Sequence, residues 1–70
     1  MTMNKNKMME NAEKIKGVMK LGYCYTLSRL QEITAFDTTD LCMAILLLIR
    51  DSRVKQFQSE GRVCYMLASI

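Results

Sequence analysis

Two consecutive helix starts, at Thr26 and at Asp37, leave this chain little choice of fold. The Thr26 hydroxyl can accept from the unpaired N–H groups of a first helical turn, and Tyr25 and Leu30 stand where two apolar side chains clip a helix start together. Leu27, Leu30 and Ile33 follow at helical spacing and are expected to face inward. The same grammar repeats at once. Asp37 is a good N-cap, Phe36 and Leu41 form the clip, and Asp40 adds a carboxylate to the first turn, where the helix dipole favours it. A helix is therefore predicted from Thr38 to about Asp51. Between Thr34 and Asp37 only a few residues remain for the turn, which is the helix-turn-helix layout.

Upstream, Met8, Ala12, Ile15 and Met19 lay one apolar stripe along a first helix. Gly22 sits where a left-handed residue closes such a helix, with Tyr23 placed to pack back on Val18. Residues 1–7 are polar, basic and without periodicity, and read as a flexible arm able to touch a polyanion. Downstream, the β-prone runs from Arg53 to Phe57 and from Arg62 to Leu67 flank the polar turn Gln58 to Gly61 and predict a hairpin. Val63, Tyr65 and Leu67 share one face of it.

A chain of 70 residues holds one modest core, so residues 8–70 are expected to form a single domain. Domains of this size bury only ~60% of their unfolded surface and often gain support from an oligomer. With 50% hydrophobic and 24% charged residues the chain should fold. Its longest apolar run, Leu41 to Ile49, is too short to span a bilayer, and no secretory signal opens it, so no membrane association and a cytoplasmic location are expected.

Histidine is absent, and the 3 cysteines, Cys24, Cys42 and Cys64, are widely and unequally spaced among apolar residues. Buried or half-buried free thiols are expected, with no metal site and no cofactor. With no histidine base, no nucleophile–base pair and no phosphate-cradling glycine loop, the sequence argues against an enzyme and against a small-molecule substrate. Asp37 and Asp40 are explained as helix-start residues.

The run from Thr26 to Val54, with a Thr-Leu opening, a Leu-x-x-Ile helix, a short turn and a Leu-rich helix, resembles the winged helix-turn-helix superfamily in its small bacterial or phage regulators. Val54, Gly61, Arg62, Tyr65 and Leu67 match the wing pattern that follows. The resemblance covers roughly residues 10 to 67 and implies an α+β, mainly helical fold: three helices and a C-terminal two-stranded hairpin. It also implies that the third helix enters the major groove of double-stranded DNA while the second helix and the wing touch backbone. On this sequence that puts Thr38, Thr39, Met43 and Arg50 toward the groove, with Ser28, Arg29, Arg53, Lys55 and Arg62 toward phosphates.

The residues fit that implication unevenly. With Leu41, Ala44, Ile45 and Leu48 inward, the opposite face of the third helix carries Thr39, Met43, Leu46 and Arg50, flanked by Cys42 and Leu47. Base edges are read mainly by Arg, Lys, Asn and Gln, and only Thr39 and Arg50 suit the task. Met43, Leu46 and Leu47 have three readings: covered core, a self-association or partner surface, or contacts to thymine methyl groups. The net charge of +3 is mild for a nucleic-acid domain, and each cation taken singly also reads as ordinary solvated surface. Two functions remain: a small transcriptional regulator, expected to act as a homodimer, or a protein-interaction module using Cys42, Met43, Leu46 and Leu47.

Overall fold

A computed structural model describes residues 5–68. Three helices are followed by an antiparallel hairpin: α1 Lys5–Val18, α2 Leu27–Thr34, α3 Thr38–Arg50, β1 Val54–Ser59 and β2 Arg62–Leu67. This is the winged helix-turn-helix architecture expected from the sequence. The core forms where α1 packs on α3, and Ile15, Leu30, Leu41 and Val54 are its largest fully buried side chains. Ala44, Ile45 and Leu48 join it from α3, and Leu67 from the wing.

Both predicted caps are present. Thr26 Oγ1 accepts from the Arg29 amide at 3.2 Å, and Asp37 Oδ2 accepts from the Thr39 amide at 3.1 Å. Between the helices Ala35 takes a left-handed conformation, φ 59°, and its amide donates to the Gln31 carbonyl at 2.7 Å. The Gln31 side chain fixes the turn from the other side, donating to the Phe36 carbonyl at 3.3 Å and to Thr38 Oγ1 at 2.9 Å. α3 ends in a Schellman motif without glycine: Ser52 is left-handed, φ 61°, and its amide and that of Arg53 donate to the carbonyls of Ile49 and Leu48.

Several expectations are corrected. α1 begins at Lys5, so residues 5–7, expected in the arm, are helical; residues 1–4 of that arm lie outside the described residues. α1 also stops at Val18, short of Gly22. Gly22, φ 88°, instead serves a tight turn in which the Tyr23 amide donates to the Lys20 carbonyl at 3.2 Å. Tyr23 remains 62% exposed there and does not pack down on the helix. Ile33, expected inward, is exposed because the short α2 buries only Leu30 fully.

The hairpin is longer and tighter than expected. Gln58 and Ser59 belong to β1, and Glu60 and Gly61 alone make the turn. Both have positive φ, 56° and 79°, the combination whose twist matches that of paired strands. Tyr25 forms a further bridge to β2: its amide donates to the Tyr65 carbonyl at 2.8 Å and the Tyr65 amide donates back at 2.7 Å. The chain before α2 is thereby tied to the wing.

Candidate nucleic-acid interface

The helix-turn-helix holds α3 by one face, with Leu41, Ala44, Ile45 and Leu48 buried as predicted. The other face is divided. Thr38, Thr39 and Arg50 are exposed, Leu46 is 64% exposed, and Met43 and Cys42 are half-buried. Leu47 packs against the core cluster. Thus covered core describes Leu47, whereas Leu46 stands free in the monomer.

Of the cations assigned to phosphates, Arg29, Arg53, Lys55 and Arg62 are all exposed, as is Ser28. Ser28 and Arg62 line one shallow cleft with Thr26, Leu27 and Val63, so the start of α2 and the root of β2 present a common surface. The positive end of the α2 dipole and a guanidinium beside the same hollow favour an anion. Arg53 lines a different hollow, between α1 and the end of α3, together with Glu13 and Asp51. Thr26, Leu27 and Val63 were not selected from sequence as site residues. Arg62 and Val63 sit on the strand that the Tyr25–Tyr65 bridge ties to the chain before α2, a contact with no short-range signature.

Local ion pairs temper two of the arginines. Arg29 Nη1 lies 3.3 Å from Glu32 Oε1, and Arg50 Nε lies 3.4 Å from Asp51 Oδ1. Both pairs are exposed and can open at little cost when a phosphate competes. At the other end of α3, Asp37 is engaged in capping and Asp40 is half-buried.

The thiols differ from one another. Cys64 is buried and Cys42 half-buried, as expected, but Cys24 is exposed, in the loop between the turn at Gly22 and α2. No group of three or more His, Cys, Asp or Glu side chains among the described residues is placed to hold a metal ion. Nor is any described helix long and apolar enough to cross a membrane.

Tyr65 has its phenol pushed above the ordinary tyrosine value, first by burial and second by proximity to Cys42. A raised folded-state value means the native state holds this proton more tightly than the unfolded chain does. The associated stability is complete below the ordinary value of 10.0 and is lost as pH rises through the raised one. Denaturant melts taken across that alkaline window should show a smaller loss in Tyr65→Phe than in the parent. An identical loss in both would assign it to other groups.

No protein-family model matches the chain, and the search of curated proteins finds no match. Among solved structures it is similar to reduced HlyU from Vibrio cholerae N16961, with a TM-score of 0.73 and 22% sequence identity. The match covers 91% of this chain and 67% of that one. Identity at this level shows the fold, a winged helix, which HlyU shares.

Proposed function

We propose that this chain is a DNA-binding transcriptional regulator, with α3 in the major groove of double-stranded DNA and the wing on the backbone. The observation that carries it is the cleft shared by Ser28 and Arg62, where the α2 N-terminus and a wing cation face the same hollow. A winged helix docking α3 in the groove brings phosphates to such a surface. HlyU, a winged-helix transcriptional regulator, supports the reading through shared architecture. In this arrangement Thr38, Thr39 and Arg50 contact base edges, Met43 offers an apolar contact to thymine methyl groups, and Ser28, Arg29, Arg53, Lys55 and Arg62 serve phosphates. The working unit is a homodimer, in the cytoplasm.

The test is a fluorescence-anisotropy titration of mixed-sequence duplex DNA. Arg62→Ala and Arg50→Ala should each weaken binding by about threefold to tenfold, the range of one net hydrogen bond at an exposed site, with unchanged far-UV spectra. Undiminished affinity in both variants would reject this docking.

One observation favours a second reading. Leu46 is 64% exposed beside half-buried Met43 and Cys42, an apolar surface suited to a protein partner. Under that reading Leu46→Lys abolishes partner binding, and the parent protein binds no duplex even at low salt.

A further inference from the structure

The Gln31 side chain does more than brace the turn between the helices: it decides which way a hydroxyl at the start of α3 is turned. Its Nε2 donates to the Phe36 carbonyl at 3.3 Å and to Thr38 Oγ1 at 2.9 Å. A carbonyl has no hydrogen to give, so the amide must turn its nitrogen, and not its oxygen, toward this corner. Thr38 Oγ1 is therefore the acceptor in its bond with Gln31.

A threonine hydroxyl holds one proton, which inside a helix commonly goes to the carbonyl one turn back. Thr34 does this, donating to the Leu30 carbonyl at 2.8 Å. Thr38 is the first residue of α3, and one turn back lies Thr34, across the interhelical turn. Among the described residues no group accepts the Thr38 proton. Thr38 is exposed, so its oxygen is held from within while its O–H is left for a partner outside the chain. The neighbouring Thr39 is exposed as well, but its hydroxyl is tethered to no described residue and can turn either way.

We propose that Gln31 is a positioning residue for DNA recognition, presetting Thr38 as a hydrogen-bond donor. On the docking of α3 put forward above, on which this assignment rests, the first turn of the helix meets base edges and phosphates. A donor there selects an acceptor that carries no hydrogen, a phosphate oxygen or a base atom such as guanine O6 or N7. It disfavours the exocyclic amines of adenine and cytosine, which are donors themselves. The tether adds affinity because the hydroxyl is already ordered before DNA arrives.

The experiment selects duplexes from a pool with a randomised centre, using the full chain, and measures affinity by anisotropy on the duplex the parent enriches most. Thr38→Val keeps the shape, loses the hydroxyl and should weaken binding about threefold to tenfold, whereas Thr38→Ser should stay within about twofold of the parent. Gln31→Met removes the tether at similar volume and should cost about twofold to threefold. The double variant, Gln31→Met with Thr38→Val, should bind no worse than Thr38→Val alone, because Gln31 acts through the hydroxyl. Circular dichroism at the titration temperature checks that each variant is folded. The pools bound by the parent and by Thr38→Val distinguish the two sources of the acceptor. A preference lost at one base pair marks a base edge; the same sequences bound uniformly more weakly mark a phosphate. A parent that binds no duplex overturns the DNA reading and this assignment with it. Parental affinity in Thr38→Val overturns the assignment alone and leaves the DNA reading standing. So does a double variant whose loss is the product of the two single losses, which would make Gln31 a brace that acts independently of the hydroxyl.

Discussion

Leu41→Ala is expected to cost this domain about 3 kcal/mol, within the range for removing a buried leucine whose surroundings collapse only in part. Leu41 is fully buried, and it serves two functions. It anchors the first turn of α3 next to the Asp37 cap, with Phe36 packed against the same cluster, and it fills the interior between the helices. A chain of this length has roughly 4–10 kcal/mol of total stability, so the change removes about 30% of it or more. At ~4–8 °C per kcal/mol for a domain of this size, the melting temperature should fall by about 15 °C. Leu46→Ala, on the exposed side of the same helix, serves as the control and should shift melting by only a degree or two. Similar losses in the two variants, read by calorimetry, would mean that the outer face of α3 is as covered as the inner one.

The salt dependence of DNA affinity should be nearly as large. If Arg29, Arg53, Lys55 and Arg62 each neutralise one phosphate, the logarithm of the binding constant falls against the logarithm of salt concentration with a slope of about −3.6. A fourfold rise in salt then weakens binding about 150-fold. Removing one of the four should flatten the slope by about 0.9, whereas Met43→Ala, which touches no phosphate, should leave it unchanged. A flat dependence for the parent would exclude backbone contacts by these residues and favour the protein-partner reading.

What the sequence disclosed about the fold followed the range of the interactions concerned. Thr26, Asp37 and the apolar spacing of α3 act within a few residues, and the structure has them as expected. The end of α1 was misplaced because Gly22 has two local solutions, a helix cap or a separate turn, and packing of the loop before α2 selects the turn. β1 was read too short because Gln58 and Ser59 are polar; pairing with Val63 and Arg62 outweighs their composition. At the candidate site, exposure of the charged residues was predictable one by one. Their grouping was not: Arg62 meets Ser28 while Arg53 lines another hollow, a division set by contacts between distant segments. The apolar outer face of α3 likewise resolved into a covered Leu47 and a bare Leu46 only in three dimensions.

The Tyr25–Tyr65 bridge has a consequence for how the molecule opens. Thr26 caps α2, and the residue before it is the one held by β2. Lifting the hairpin from the body breaks both bridge bonds and frees the backbone that presents the cap hydroxyl. Helix two and the wing therefore behave as one cooperative unit in local unfolding, although the bridged residues Tyr25 and Tyr65 lie far apart along the chain. Amide exchange at Arg29 and at Tyr65 reports a single opening event, and a ligand clamped between these elements slows both together.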